Sequence, residues 1–480
     1  DEREILAEGT CGDNLTWILY KDGELVISGT GAMKDYTNNI LNCAPWYSNR
    51  TKITKLTIGE GVTSVGTYAF LDCSNLVNAA ISDSVTSIGD HAFNSCRAMT
   101  TVKMSGNVTN IGKFAFAYCS VLTGIDIPAG VTSIGEYTFV SCRSLTSVTI
   151  PDSVTSIGEW AFASCISLTS VTIPNSVTSI GGSAFDGCKM LTEVLIPNGV
   201  KTIGEWAFGG CIGLTSVTIP ESVTSIGTGI FGDCTGLTCV EVSENNNDYI
   251  SVDGVLFNKS KTSLICYPGG KSGEYAISDG VTSIIDYAFC ACSGLTSVTI
   301  PESVTSIGER AFYGCSSLTS VTILSKTATF GSDVFYNCNN VTIYGYAGST
   351  AETYAKNNNI PFVALDEREI LAEGTCGDNL TWILYKDGEL VISGTGAMYD
   401  YTNNNSNCAP WYSNRTKITK LTIGEGVTGI GKYAFADCSS LTSASIAESV
   451  TRICGWAFYG CNALKSVYIV DFEAWLNIVF

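Results

Sequence analysis

The feature that most constrains this chain is a period of 23 residues. From Ile150 the sequence reads IPDSVTSIGEWAFASCISLTSVTI, and it restarts at Ile173 as IPNSVTSIGGSAFDGCKMLTEVLI. Cysteines mark the period without a slip at Cys73, Cys96, Cys119, Cys142, Cys165, Cys188, Cys211 and Cys234. The beat returns at Cys292, Cys315 and Cys338, and again at Cys438 and Cys461. A length of 480 residues would ordinarily suggest about three domains, but a strict short period sets that expectation aside.

One coil can be read residue by residue. In Leu168–Ile173 (LTSVTI), side chains alternate along a strand, so Val171 and Ile173 point inward while Ser170 and Thr172 point out. Pro174 cannot donate to a ladder and ends the strand. Val177 and Ile180 supply a second, shorter apolar segment, and Gly181 permits a turn. Ala161, Phe162 and Cys165 fall at helical spacing, so Glu159–Cys165 is expected to form a short helical turn. One coil cannot bury its apolar face alone, whereas stacked coils share a continuous core. The period and the L-x-x-V-x-I core predict a mainly β, right-handed leucine-rich-repeat solenoid with short helices.

The departures from the period outline the organisation. Residues 1–51 read as a β-rich N-terminal cap, with strands LTWILY and ELVISG joined at Lys21-Asp22-Gly23. Repeats fill 52–338. The gap from Cys234 to Cys292 is 58 residues where two coils would take 46, so about a dozen extra residues lie in 242–278. There GVLF and SLICYP flank a polar NKSKT, which predicts a β-hairpin projecting from the stack. Residues 339–365 read as a closing cap with a helix that Ser349 or Thr350 starts and whose face is Ala351, Tyr354 and Ala355. Asp366–Met398 then repeats Asp1–Met33 without a change. Residues 366–416 are therefore a second cap, and 417–480 a second, truncated repeat run ending in DFEAWLNIVF. The chain opens without a charged-then-apolar leader and reads as a mature or trimmed product expected to continue past Phe480.

The coil IPxSVTSIGxxAFxxCxxLTSVTI, the opener GTCGDNLTW…LVISGTGAM…APWYS, the inserted SVDGVLFNK…YP and the closer GYAGSTAETYAKNNNIPF resemble the BspA-like leucine-rich-repeat family, also called the Treponema pallidum type. The resemblance covers nearly the whole chain. It implies a surface-exposed or secreted protein of host-associated bacteria, often adhesive toward host matrix, host cells or other microbes. It brings no catalytic motif and no fixed ligand-contacting residues. The tandem second opener and its short repeat run depart from the pattern.

Composition narrows the chemistry. The net charge of −19 disfavours nucleic acid and anionic lipid surfaces as partners, and no apolar run is long enough to span a bilayer. The one histidine, His91, occupies the slot that holds Trp160 and Trp206 in other coils, and any Ser-His-Asp or Cys-His site would have to use it. It reads as an ordinary repeat variant. The 13 periodic cysteines each follow a phenylalanine by three residues. They read as free buried thiols, because side chains stacked in one direction suit the S–S torsion poorly. Cys11 with Cys43, and their copies Cys376 with Cys408, are disulfide candidates in an extracellular protein, or else buried thiols of the cap. Carboxylates such as Asp152, Glu221 and Glu302 fall in turns rather than on a cleft. Glu244–Gly254 (ENNNDYISVDG) is oxygen-rich but lacks EF-hand spacing, and reads as a polar hairpin base. No catalytic residue, cofactor or metal is expected.

Two surfaces repeat with the coil. One is a strand-face ladder of Thr149, Thr172, Thr218, Thr299 and Thr322, which is either a polar platform for a protein or glycan or simply threonine suiting exposed strands. A regular threonine array for binding ice is the remote third reading. The other is an aromatic column including Trp160 and Trp206, either a contact surface or packing between coils. The expectation is a monomeric, non-catalytic protein, secreted or at the cell surface, that binds an extracellular protein or glycan. The alternative is a spacer that displays other domains.

Overall fold

The computed structural model describes residues 3–403 and 407–469. The chain divides into two compact units, Asp1–Leu365 and Asp366–Phe480. The terminal stretch DFEAWLNIVF lies outside the described residues.

The first unit opens with an antiparallel cap, Ile5–Thr10, Asn14–Tyr20 and Glu24–Ala32. Its third strand seeds both parallel sheets of the solenoid. Glu24–Ile27 pairs with Lys55–Ile58, and Gly31 and Ala32 pair with Val62 and Ser64. From there each coil contributes one strand to a wide sheet (Ser147–Thr149, Ser170–Thr172) and a two-residue strand to a narrow one (Ser156–Ile157, Ser179–Ile180). Both ladders are parallel with a register of one period, so Val148 opposes Val171 and Ile157 opposes Ile180. The alternation holds: Val171 and Ile173 are buried while Ser170 and Thr172 are exposed. Pro174 ends the strand, and its carbonyl accepts the Val177 amide at 3.1 Å.

The third side of each coil corrects the expected helical turn at Glu159–Cys165. There every other amide bonds the next coil: Trp160 N–H to Gly182 O (2.9 Å), Phe162 to Ala184 (2.8 Å), Ser164 to Asp186 (2.6 Å). The amides between them close three-residue turns, Ala161 to Gly158 (3.4 Å) and Ala163 to Trp160 (3.2 Å). Trp160 and Ser164 take φ of 56° and 59°. An α-helix would keep every amide inside its own segment at negative φ. In a stack, the neighbouring coil offers carbonyls at the right height, and the gain from satisfying them offsets the roughly 1–2 kcal/mol cost of each left-handed residue.

Behind this side lies the core. Phe70, Phe93, Phe116, Phe139, Phe162, Phe185 and Phe208 are fully buried and stacked at 5.2–5.7 Å between ring centroids. Trp46 of the cap heads this column, 5.4 Å from Phe70, with its indole N–H donated to Ala69 O at 2.8 Å.

The inserted segment also differs from expectation. Val255–Asn258 and Ser263–Cys266 pair antiparallel as a hairpin, but they do not project. A further strand, Tyr249–Val252, pairs antiparallel with Val255–Asn258 across a turn whose central residues Asp253 and Gly254 have φ of 50° and 78°. Ser263–Cys266 then joins the narrow parallel sheet beside Ser283–Ile284. Val255, Leu256, Phe257 and Leu264 are buried, because alternate side chains serve two cores: Leu256 belongs to the core before the insertion, Val255 and Phe257 to the one after it. With that much apolar area at stake, the hairpin packs into the stack.

The closing helix spans Thr350–Asn357 with Ser349 as N-cap, its hydroxyl accepting the Glu352 amide at 3.3 Å. Ala351 and Ala355 are buried, and Tyr354 stacks on Phe330 at 4.5 Å. The second unit repeats the cap and the first coils: Trp411 stacks on Phe435 at 5.5 Å and donates to Ala434 O at 3.0 Å.

Candidate interaction surface

The outward face of the wide sheet carries a row held in strict register: Asp126, Thr149, Thr172, Leu195, Thr218, Glu241. Thr149, Thr172 and Thr218 are exposed. Thr299 and Thr322 lie in a second wide sheet beyond the insertion, opposite one another and half-buried. The five threonines are thus two groups rather than one ladder. Other threonines in the coil tie one coil to the next. Thr146 Oγ1 donates to Thr123 O at 3.1 Å, Thr169 to Thr146 at 3.2 Å and Thr178 to Thr155 at 3.2 Å.

Leu195 interrupts the row. It is 72% exposed, in a position its neighbours fill with threonine. The strands on either side part here. Glu193–Leu195 and Ser216–Ile219 pair at the single position Leu195–Thr218, whereas the next junction pairs at four. The result is a shallow depression of about 510 Å³ edged by Thr172, Glu193, Leu195 and Thr218. The Thr218 hydroxyl donates to Glu241 at 3.2 Å.

The aromatic column is a packed stack. Tyr68, His91, Phe114, Tyr137 and Trp160 follow one another at 4.4–6.0 Å with planes within 8° of parallel. Every one of them sits at positive φ. Trp160 is 37% exposed. Trp206 instead lies across the next coil, edge-on to Tyr287 at 5.0 Å, and covers Gly229 and Gly232, where an added Cβ would come within 2.7 and 2.5 Å of the ring. His91 is held between Tyr68 and Phe114, its Nδ1 2.9 Å from Asn94 Nδ2, and burial lowers its pKa.

The cysteine column has a role that the sequence alone does not reveal. From Cys96 to Cys234 each thiol donates to the phenylalanine carbonyl of the preceding coil, as in Cys142 to Phe116 (3.2 Å), Cys165 to Phe139 (3.3 Å) and Cys188 to Phe162 (3.3 Å), while Cys292 donates to Tyr267 O (3.5 Å). Burial pushes the Cys142 thiol up to about 12, so it stays protonated and unreactive at neutral pH. Of the cap cysteines, Cys11 and Cys376 are buried and Cys43 and Cys408 half-buried. Cys11 is buried beneath the cap, while the Cys43 thiol turns to the Ile40 carbonyl at 3.5 Å.

In the oxygen-rich stretch, Asn246 is buried and consumed by protein partners. Its amide donates to the Pro220 and Val223 carbonyls, and its oxygen accepts the Asp248 and Tyr249 amides. Among the described residues no group of three or more His, Cys, Asp or Glu side chains could hold a metal ion. Asp152, Glu221 and Glu302 are exposed turn residues.

Burial displaces the Asp186 carboxylate from its ordinary range. Asp186 lies over Gly209, its Oδ1 2.6 Å from where a Cβ there would stand. Burial, then the charge of Asp233, push it up to about 6. A folded-state value above the unfolded one of about 3.9 means the folded chain binds this proton more tightly, so its contribution to stability grows as pH falls through 6 and is lost above it. Discounted for partial exposure to about 1 kcal/mol, the effect is readable. Asp186→Asn is expected to raise the thermal midpoint by about 2–4 °C at pH 7 and by little at pH 4.5. Melting curves of both proteins at the two pH values check this, and an equal shift at both would refute it.

Two parallel strands per coil, apolar cores stacked coil on coil and a β cap at the start of each unit define a leucine-rich-repeat solenoid. The BspA type leucine rich repeat region, in 6 copies, matches residues 44–169, 155–271, 266–354 and 408–474. The chain belongs to that family. No curated protein matches it. Among solved structures it is similar to a leucine rich cell surface protein from Faecalibacterium prausnitzii A2-165 (24% identity, 100% of this chain and 98% of that chain covered, TM-score 0.38). It is also similar to the pneumococcal vaccine antigen PcpA (16% identity, 98% and 100%, TM-score 0.38) and to the leucine rich repeat protein of T. pallidum (27% identity, 48% and 87%, TM-score 0.29). Among the described residues no helix is long and apolar enough to cross a membrane.

Proposed function

We propose that this protein is a non-catalytic, secreted or cell-surface binding protein whose wide-sheet face engages an extracellular protein or glycan. The observation that carries the reading is Leu195: an apolar side chain 72% exposed at the centre of a polar face, at the junction where the ladder thins to one residue pair. A spacer needs only regular coils. An exposed aliphatic anchor in a depression rimmed by hydroxyls and one carboxylate, Glu193, is what a contact surface uses. Family membership supports a surface interaction role.

The test is an array of matrix proteins and glycans probed with the full chain and with Leu195→Thr, which restores the neighbouring residue of the row. Saturable binding by the parent, weakened about tenfold or more in the variant at unchanged melting temperature, is the expected result. Equal binding by both would move the contact off this face. Silence on the whole array would favour the spacer.

A further inference from the structure

A second surface lies on the turn side, just after the column cysteines. We propose that it is a subsite for an anionic glycan, a sulfated or uronate-bearing chain laid along the stack. The inference rests on reading the protein as an extracellular binder, but it uses different residues from the sheet face.

From Cys96 to Cys188 the residue following the column cysteine runs Arg97, Ser120, Arg143, Ile166, Lys189, so across these five coils a cation recurs every second coil. The register is fixed by hydrogen bonds between coils: Ser120 Oγ donates to Arg97 O at 3.4 Å, and the Ser144 amide donates to Ser120 O at 3.1 Å. Arg97 and Arg143 face each other across an open depression of about 290 Å³ whose other walls are Tyr118, Ser120 and Ser141. Tyr118, at φ 60°, is 46% exposed between them.

The charges there are uncommitted. The chain carries 26 Lys and Arg against 45 Asp and Glu, so carboxylate partners are not scarce. Arg310 pairs with Asp333 and Arg368 with Asp366, while Arg50 and Arg415 lie over tyrosine rings. Arg97, Arg143 and Lys189 are exposed and make no ion pair among the described residues. Two guanidinium forks present paired donors suited to sulfate or carboxylate, and two serine hydroxyls lie between them. A half-exposed tyrosine ring is a platform for the apolar face of a sugar.

The spacing selects the polymer. Two coils of parallel strand rise about 10 Å, twice the ~4.8 Å strand separation. Duplex nucleic acid carries a charge about every 1.7 Å, far denser than this row, and the net charge of −19 repels it at range. A glycan that repeats its anionic group, or a cluster of them, once per disaccharide matches the sparse row.

The experiment titrates the full chain with a heparin-derived decasaccharide, its desulfated counterpart, a hyaluronan oligosaccharide and a single-stranded oligonucleotide. The wild type is expected to bind the sulfated or the uronate probe, with affinity falling as salt rises. Arg97→Ser with Arg143→Ser, which installs the residue already present at Ser120, is expected to weaken binding at least about tenfold and to shrink the salt slope by roughly one to two. Tyr118→Ser is expected to weaken binding with the slope unchanged. Melting curves verify that all variants are folded. Failure of both anionic glycans, an unaffected double variant, or equal binding of the oligonucleotide would each overturn the proposal. If a protein on the matrix array binds while these glycans do not, only this inference falls. If nothing binds in either experiment, the binding-protein reading falls with it.

Discussion

Phe162→Ala is expected to lower local stability by about 4 kcal/mol and to break the first solenoid at its centre. Phe162 is fully buried, with Phe139 and Phe185 each 5.3 Å away. Its ring has no solvent-side neighbour that could move in, so truncation leaves a cavity floored and roofed by two other rings. The stacking lost on both sides adds to the transfer loss. Since each coil touches only its neighbours, the damage concentrates at two junctions and is not shared over the array. The expected signature is a loss of cooperativity: amide hydrogens of Val148 and Val171 exchange faster by orders of magnitude, while those in the N-terminal cap keep their protection. Hydrogen exchange by residue reads this directly. A uniform small change across the unit, or a cost below about 1 kcal/mol, would show that the phenylalanine column is not where this stack derives its stability.

How much of the fold is legible in the sequence depends on whether the deciding interaction is local. The strand at Ser170–Thr172 and its facing are legible, because alternation and a terminating proline are properties of six consecutive residues. The turn side is not. Ala161, Phe162 and Cys165 fit a helical turn as well as they fit the observed structure, and the choice is made by carbonyls of the next coil. A signal is present, however. The register of Ser164 holds Gly187, Gly210, Asp233, Asn337 and Asp437 in other coils, residues that favour positive φ. The aromatic at φ 56° in Trp160 carries no such mark. In the insertion, the polar NKSKT loop favours a projecting hairpin. The alternation on either side of it favours burial, assigning Leu256 and Phe257 to opposite cores, and burial prevails. For the candidate surfaces, the repeat consensus displays the threonines and hides the departures from it. Leu195, Arg97 and Arg143 stand out only once the register says which residues share a face.

Gly181→Ala is the second large effect expected, for a reason other than the turn that the sequence suggests. Gly181 is not among the residues with positive φ, so a side chain is not forbidden by its own backbone. What forbids it is the coil beneath: an added Cβ would stand 2.6 Å from both the Glu159 nitrogen and the Gly158 carbonyl carbon. These are backbone atoms, held by the Gly181 N–H to Ile157 O bond at 2.8 Å and by the adjacent strand pairs, so relief requires the coils to separate. The same approach recurs at Gly204 and Gly227, 2.4 and 2.3 Å from the coil below, which explains why the motif keeps a glycine after Ser-Ile. Two departures fit the account. Ile285 follows the insertion, where the strand below is Ser263–Cys266 and not a regular coil. Cys454 lies in the last coil of the described residues, where among those residues the narrow strand Arg452–Ile453 pairs with Val427–Ile430 alone. In the middle of the array neither escape exists, and the cost is expected to be about 3 kcal/mol, with the narrow sheet opening at Ser179–Ile180. Denaturant titration combined with hydrogen exchange at Ile157 and Ile180 measures it. A loss under about 1 kcal/mol would mean that neighbouring coils can part more easily than their continuous ladders imply.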